Sequence, residues 1–155
     1  MIEIIDDYLS KKDFKRLREI FVDTETVNWN RCKVNGTDKN FYFTHIAFQG
    51  IHSSHFIHEM NPLLDKIKPK ALIRIKVNCY PCTENILKHD KHKDFNFSHK
   101  GAIFSLNDCD GGTYINKKFI ESKANRILFF DPSIFHYSTS TTKKEGRINI
   151  NFNYF

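Results

Sequence analysis

The chain of 155 residues ends in Arg147-Ile148-Asn149-Ile150-Asn151-Phe152-Asn153-Tyr154-Phe155. Apolar and polar residues alternate along this segment with a period of two, which predicts a β-strand with two different faces. An ordinary sandwich strand would turn its polar face to water. Asparagine is depleted in strands, however, and a solvent face would more usually carry Thr, Lys or Glu. We therefore expect the polar face of this strand to line a ligand cavity.

The segment 71–80 has the same period. Three apolar residues alternate there with three polar ones, namely Ile73, Ile75 and Val77 with Arg74, Lys76 and Asn78. Asn78 and Tyr80 share a face and are candidates to donate hydrogen bonds to a ligand. Arg147 is a candidate for the same ligand, because its planar guanidinium can grip a carboxylate through two parallel hydrogen bonds.

Short strands separated by turns fill the region between these two segments. We predict them at about 99–107, 113–115, 119–121, 126–130 and 134–139. Several short strands at this spacing favour a β-sandwich or barrel, and a jelly roll can hold a metal site in its mouth.

The first 70 residues have a more helical pattern. Ser10 and Asp13 resemble a capping box and predict an amphipathic helix over 10–22. A second helix is predicted from Ser53-Ser54 to about 67, interrupted at Asn61-Pro62. Residues 41–48 read as a strand, and 23–40 as a loop or weak hairpin with a turn at Asn35-Gly36. No repeat or linker divides the chain, so we expect a single domain over 1–155, with 1–70 as supporting helices and lid and 71–155 as the β core.

Composition limits the cellular location and the kinds of partner that we expect for the protein. No apolar run approaches the roughly 20 residues needed to span a bilayer, and the acidic N-terminus lacks a signal pattern. By elimination, we expect no membrane association and a cytoplasmic location. The four cysteines have irregular spacings, and we interpret them as reduced thiols. The net charge is +6, but the basic residues are scattered, so a solvated surface is favoured over nucleic-acid binding, which stays an alternative.

Three residues are candidate metal ligands. His92 and Asp94 lie two apart, so in a strand their side chains would point the same way. His136 follows 42 residues after Asp94, enough chain for strands that fold back beside them. Two imidazoles and one carboxylate, with the opposite face open, are the ligands of non-haem Fe(II) oxygenases. A His-x-Asp triplet is weakly specific alone, and His136, between aromatic residues, is by itself more typical of a core histidine.

The remaining histidines fit an ordinary surface role better. His52, His55 and His58 form a partial helical face that mimics a zinc site, but no cysteine or carboxylate completes a convincing set. His89 lies three residues before His92, and no carboxylate follows it at the second position. It stays the alternative to His92.

Taken together, four motifs resemble the Fe(II)/2-oxoglutarate-dependent dioxygenase family, in particular its small prolyl-hydroxylase-like branch. The motifs are Asn78-Cys79-Tyr80-Pro81, His92-Lys93-Asp94, Asn125-Arg126-Ile127-Leu128-Phe129-Phe130 leading to His136, and Gly146-Arg147-Ile148-Asn149. They occur in the family's order and cover a little over half of the chain. The resemblance implies a mainly β (α+β) fold, the double-stranded β-helix (jelly roll, cupin-like) with supporting N-terminal helices.

The resemblance also implies residue roles. His92, Asp94 and His136 would ligate Fe(II), and Arg147 would pair with the distal carboxylate of 2-oxoglutarate. Tyr80, Asn78 and Asn149 would help to hold that co-substrate. The implied reaction is decarboxylation of 2-oxoglutarate to succinate coupled to hydroxylation by O2, with ascorbate as a candidate reductant.

The primary substrate is open at this stage. A peptidyl (prolyl-type) side chain is the first choice, by analogy with the branch, and a small molecule is the next. Residues 31–60 and 81–100 would form the recognition surface. Oxidative demethylation of a nucleobase is an alternative, although no second arginine follows Arg147 as that branch usually has. A non-catalytic β-barrel binding module is the third alternative.

Overall fold

The computed structural model describes residues 2–34 and 37–155, with the backbone alone at 37–39. The strands within these ranges are β1 Glu3–Ile5, β2 Asn30–Val34, β3 Thr37–Gln49, β4 His52–Ser53, β5 Leu72–Tyr80, β6 Lys100–Ser105, β7 Gly112–Ile115, β8 Lys118–Glu121, β9 Arg126–Phe130, β10 His136–Ser138 and β11 Arg147–Tyr154. The helices are α1 Lys11–Phe21, a 3₁₀ helix His55–Met60 and α2 Asn61–Ile67. Each of these described helices is too short or too polar to cross a membrane.

The described strands form two antiparallel sheets. The large sheet has eight strands in the order β1-β9-β6-β11-β5-β3-β2, with β4 added to β3, and the small sheet has three in the order β10-β7-β8. The C-terminal strand β11 lies at the centre of the large sheet, between β5 and β6. Its polar residues Arg147, Asn149, Asn151 and Asn153 pair with Tyr80, Asn78, Lys76 and Arg74 of β5.

The two faces of β11 meet different surroundings. Ile148, Ile150 and Phe152 belong to one hydrophobic core with Leu17 of α1 and Leu63 of α2. Because side chains alternate across a strand, the polar residues lie on the opposite face. All eight residues of β11 are buried, so the polar face does not meet bulk water. A solvent-facing sandwich strand is thereby excluded for this segment.

Both helices predicted from the sequence are present. The Ser10 hydroxyl accepts a hydrogen bond from the Asp13 backbone N–H at 3.2 Å and caps α1. Ser54 caps the second helical segment by accepting from the Phe56 N–H at 3.3 Å. Its first half is a 3₁₀ helix and only the part after Met60 is an α-helix, which begins at the predicted Asn61-Pro62 interruption.

Strands from the first 70 residues also join the large sheet. β1 pairs with β9, and β3 pairs with β5 over Phe43–Gln49. The segment predicted as a loop or weak hairpin is a strand pair, with β2 hydrogen-bonded to β3. Its predicted turn at Asn35-Gly36 lies outside the described residues. The N-terminal part therefore supplies sheet edges as well as helices.

The segment 81–99 is held along β10 by backbone hydrogen bonds. His92 and His136 exchange a pair of them, at 2.9 and 3.0 Å. The Asp94 N–H donates to the Pro132 carbonyl at 3.0 Å. His92 and Asp94 lie outside the regular strands, and His92 forms only an isolated bridge to His136. That bridge nevertheless fixes this segment beside β10.

The helical layer should contribute strongly to stability through its buried leucines. Leu63 is fully buried, so Leu63→Ala should lower the free energy of unfolding by about 2–5 kcal/mol. Urea denaturation followed by circular dichroism measures this quantity. Ile51→Ala, at a fully exposed position, is the matched control and should change it by no more than about 0.5 kcal/mol. Equal effects of the two substitutions would contradict this packing.

Candidate metal centre

His92, Asp94 and His136 converge on one point of the fold. Asp94 Oδ1 lies 3.8 Å from His92 Nε2 and 4.0 Å from His136 Nε2. One ligand atom from each residue lies within 4.8 Å of the others. Two ligands that each lie about 2.1 Å from an ion are separated by at most about 4.2 Å, and both carboxylate–imidazole distances meet that condition. Among the described residues, this is the group of His, Cys, Asp and Glu side chains with metal-ligand spacing.

Both imidazoles are oriented by backbone carbonyls. His92 Nδ1 lies 3.1 Å from the Asp90 carbonyl oxygen, and His136 Nδ1 lies 2.9 Å from that of Ile134. A carbonyl only accepts hydrogen bonds, so Nδ1 is the protonated nitrogen in both neutral rings. Each Nε2 therefore presents a lone pair toward Asp94. Metal-binding histidines are held in this way, with the second nitrogen donating to a carbonyl or carboxylate.

The Asp94 carboxylate is buried and fixed on both oxygens. Asn153 Nδ2 donates to Oδ2 at 2.9 Å and Asn151 Nδ2 donates to the same atom at 3.3 Å. Arg74 Nη2 lies 3.2 Å from Oδ1. Burial opposes ionisation of this carboxyl, but the charge of Arg74 and the hydrogen bond from Asn153 outweigh it and lower the pKa of Asp94. The carboxylate is therefore ionised and oriented before any ion binds.

The donor set fits a divalent transition metal. Burial lowers the pKa of His136, which keeps that imidazole neutral and able to coordinate. Two neutral imidazoles and one carboxylate suit Fe(II) and related ions and leave coordination positions open for other ligands. All three candidate ligands line one cavity.

That cavity has a volume of about 360 Å³ and is lined mostly by polar side chains. They come from the polar faces of β5 and β11, from the small sheet and from the 81–99 segment. The lining residues used in the following arguments are Lys33, Tyr42, Arg74, Lys76, Asn78, Tyr80, Asp90, His92, Lys93, Asp94, Thr113, His136, Arg147 and Asn149. The predicted site residues thus share one cavity.

Arg147 lies at one end of the polar face and is buried. Its Nη2 donates to Thr113 Oγ1 at 2.9 Å, and its Nη1 donates to the Thr139 carbonyl at 3.4 Å. Nε has no hydrogen-bond partner among the described residues. The guanidinium carbon lies 5.0 Å from the centre of the Tyr80 ring. Burial raises the pKa of Tyr80, against the opposing charge of Arg147, so its phenol stays protonated and can donate.

Asn78 and Asn149 form the next row of the polar face. Asn78 Nδ2 donates to Asn149 Oδ1 at 3.1 Å. Asn78 Oδ1 is buried without a partner among the described residues. A buried carbonyl oxygen without a donor is costly, so this atom is suited to receive one from a ligand.

The structure also separates the other candidate residues. His89, the sequence alternative to His92, binds Ser138 Oγ through Nδ1 at 2.8 Å and is not part of the metal-ligand group. Its burial and the nearby charge of Arg147 lower the pKa of His89 to about 4. His52, His55 and His58, on β4 and the 3₁₀ helix, are not part of any group with metal-ligand spacing in the described part of the chain. All four cysteines are free, as predicted.

Three notable cavity residues are among those that the sequence did not single out. They are Arg74 and Lys76 on β5 and Tyr42 on β3. Burial and the charge of Arg74 lower the pKa of Lys76 to about 8. The sequence did contain a signal for the two residues of β5. Arg74 and Lys76 lie at two-residue intervals from Asn78 and Tyr80, so all four side chains are on the same face of the strand, and that face was predicted to line the cavity.

Comparisons with known proteins found similar structures but no similar sequence. No protein-family model and no curated protein matches the sequence. The structure is similar to the 2OG complex of the viral collagen prolyl hydroxylase from Paramecium bursaria Chlorella virus-1, with a TM-score of 0.60 and 15% identity over 98% of this chain and 93% of that one. It is also similar to a prolyl hydroxylase from Trichoplax adhaerens in complex with a hypoxia-inducible factor peptide, with a TM-score of 0.63 and 14% identity over 99% and 83%.

A third similar structure is the epimerase SnoN from nogalamycin biosynthesis with Fe³⁺ and alpha ketoglutarate. Its TM-score is 0.71, at 11% identity over 99% of this chain and 78% of that one. Similarity at these identities defines the fold. The protein has the double-stranded β-helix of the Fe(II)/2-oxoglutarate oxygenases, so the predicted fold class is confirmed and the family resemblance is confirmed at the level of the fold.

The two histidines of the 81–99 segment should differ in metal binding. His92→Ala removes a ligand atom, so Mn(II) affinity should fall by more than the roughly 10–100-fold that loss of a supporting hydrogen bond costs. His89→Ala is the matched control and should leave the affinity unchanged. Isothermal titration with Mn(II) measures both. Loss of binding in His89→Ala with retention in His92→Ala would reverse the assignment.

The asparagine that fixes Asp94 should also matter for metal affinity. Asn153→Ala removes the 2.9 Å hydrogen bond to Asp94 Oδ2, and we expect Mn(II) to bind about 10–100-fold more weakly. Asn96→Ala, at an exposed position of the same segment as Asp94, should have no effect. Circular dichroism checks that both variants keep the fold. Unchanged affinity in Asn153→Ala would show that Asp94 needs no such support.

Proposed function

We propose that the protein is an Fe(II)- and 2-oxoglutarate-dependent dioxygenase that hydroxylates an organic substrate. The observation that carries this proposal is the convergence of His92, Asp94 and His136 at a cavity that also contains the buried guanidinium of Arg147. The fold shared with enzymes of this chemistry supports it. In this proposal residues 1–155 act as one domain.

His92, Asp94 and His136 would hold the Fe(II). Both histidines are oriented by backbone carbonyls and the carboxylate is fixed by Asn151 and Asn153, so the ligands need little rearrangement on binding. When bound, Fe(II) with 2-oxoglutarate would supply the decarboxylation of 2-oxoglutarate to succinate and the transfer of an oxygen atom from O2 to a substrate C–H bond.

Arg147 would bind the distal carboxylate of 2-oxoglutarate. Arg147 is buried and has no ion-pair partner among the described residues. An unpaired buried charge is costly, and a carboxylate would supply the partner. Three neighbouring side chains would contact the same co-substrate. The Tyr80 phenol can donate to an oxygen, and Asn78 and Asn149 offer amide groups one row further along the strands.

The cavity walls would keep water from the reacting atoms. The Tyr42 ring stacks on that of Tyr80, with centroids 5.3 Å apart and planes at 17°. Exclusion of water strengthens each charged contact in the site and limits side reactions.

A peptidyl side chain is the first candidate for the group that is hydroxylated. Two prolyl hydroxylases are among the similar structures, one of them bound to a peptide. Nucleobase demethylation is the second candidate, favoured by the basic lining of the cavity. Stimulation of 2-oxoglutarate turnover by proline-containing peptides or by methylated oligonucleotides separates the two. A non-catalytic module would turn over no 2-oxoglutarate.

Arg147 provides a direct test of co-substrate binding. Arg147→Lys keeps the positive charge but loses the two-pronged contact, so the KM for 2-oxoglutarate should rise about tenfold or more. Succinate formation with added Fe(II) measures KM and kcat. Mn(II) affinity should be unchanged, because Arg147 is not a metal ligand.

The control is Lys144→Arg, the reciprocal exchange at an exposed position. It should alter neither constant. An unchanged KM in Arg147→Lys would remove Arg147 from the co-substrate site, and absence of succinate in the wild-type protein would contradict the proposed function itself.

A further inference from the structure

The polar face of the β5–β11 pair has cations at both ends. Arg147 pairs with Tyr80 in the first row, and Asn149 pairs with Asn78 in the second. The third and fourth rows are Asn151 with Lys76 and Asn153 with Arg74. Successive rows are about 7 Å apart along the strands, so Lys76 lies about 13 Å from the level of Arg147. The two cations therefore belong to different rows of the cavity wall.

The second set of cations lies at the metal end of the cavity. Arg74 forms an ion pair with Asp94 at 3.2 Å. Lys76 is on the same face of β5, two residues further along, and lines the same cavity. Its Nζ lies 5.5 Å from the centre of the Tyr42 ring, and among the described residues it has no hydrogen-bonded acceptor. Ammonium groups withdrawn from water are normally paired with an anion.

The charges of the side chains that line the cavity also favour a bound anion. Five cationic side chains line it, Lys33, Arg74, Lys76, Lys93 and Arg147, against the carboxylates of Asp90 and Asp94. An Fe(II) ion and a 2-oxoglutarate dianion cancel each other in charge. The loaded cavity would therefore keep a surplus of positive charge, which favours an anionic third ligand.

We propose that Lys76, with Arg74 beside it, binds an oxyanion group of the primary substrate, a carboxylate or a phosphate, next to the metal site. This inference rests on the proposed function and narrows its substrate class. The substrate is an acid whose charged group docks on β5, while the carbon to be hydroxylated lies nearer the metal. A neutral prolyl peptide without an acidic group would leave Lys76 unpaired.

The test measures anion binding with acetate and inorganic phosphate as probes. The protein is loaded with Mn(II) and N-oxalylglycine, an inert 2-oxoglutarate analogue that occupies the Arg147 end. Paramagnetic relaxation of the acetate protons and of the phosphate ³¹P reports whether a probe binds near the ion. We expect relaxation enhancement in the wild-type protein and an affinity about tenfold weaker in Lys76→Met.

Two matched variants control for charge and for folding. Lys76→Arg keeps the cation and should keep probe binding within about twofold. Lys91→Met makes the same charge change at an exposed position that does not line the cavity, and it should bind both probes like the wild-type protein. A stronger response to acetate than to phosphate identifies a carboxylic acid substrate, and the reverse identifies a phosphorylated one.

Two results would overturn this inference. One is equal probe affinity in Lys76→Met and the wild-type protein. The other is a loss of N-oxalylglycine affinity in Lys76→Met as large as that in Arg147→Lys, because Lys76 would then serve the co-substrate. If the wild-type protein binds no Mn(II), the proposed function fails, and the titration of phosphate into Lys76→Met and wild-type protein still decides whether Lys76 binds an anion.

Discussion

The buried carboxylate of Asp94 is the interaction on which the site depends. It lies in a loop rather than in a strand, yet it is held by two asparagines of β11 and by Arg74 of β5. A buried carboxylate is costly unless it is paired and hydrogen-bonded, and these three partners meet that requirement. The same contacts attach the 81–99 segment to the large sheet. The position of the candidate metal centre therefore follows from the register of β5 against β11.

The central strand divides the molecule into an apolar half and a polar half. On one side, Ile150 and Phe152 pack with the two helical segments in a continuous core. On the other side, the four polar residues of β11 are buried, and three of them, Arg147, Asn149 and Asn151, line the cavity. A buried polar group stabilises a fold little unless its hydrogen bonds are satisfied. Asn78 Oδ1 and Arg147 Nε are buried and have no hydrogen-bond partner among the described residues. Atoms of this kind are expected where a ligand completes the structure.

Much of this arrangement could be predicted from local patterns. The alternation in 147–155 gave both faces of β11, and the Ser10 cap gave the start of α1. The choice of His92 over His89 was weaker, because both histidines lie in one charged loop. The structure separates them through their side chains, because His92 converges with Asp94 and His136 whereas His89 contacts Ser138. Both positions depend on backbone pairing with β10, which lies far away in sequence. No local pattern contains that information.

The roles of Arg74 and Lys76 depended even more on distant contacts. An alternation of Ile and Val with Arg, Lys and Asn is typical of a strand with one face in water. The cavity forms because the small sheet and the 81–99 segment cover that face, and both are placed by pairings across many residues. The pairing of β2 with β3 was predicted only as a loop or weak hairpin for the same reason. The position of β3 depends on its pairing with β5, which lies further along the chain.

A crystal structure of the protein with Mn(II) tests the central claim most directly, because the anomalous signal of the ion locates it without prior assumptions. The account predicts one ion about 2.0–2.2 Å from His92 Nε2, His136 Nε2 and an Asp94 oxygen, with its open positions facing Arg147 across the cavity. An ion bound elsewhere, or an Asp94 carboxylate that stays paired with Arg74 and coordinates nothing, would contradict it.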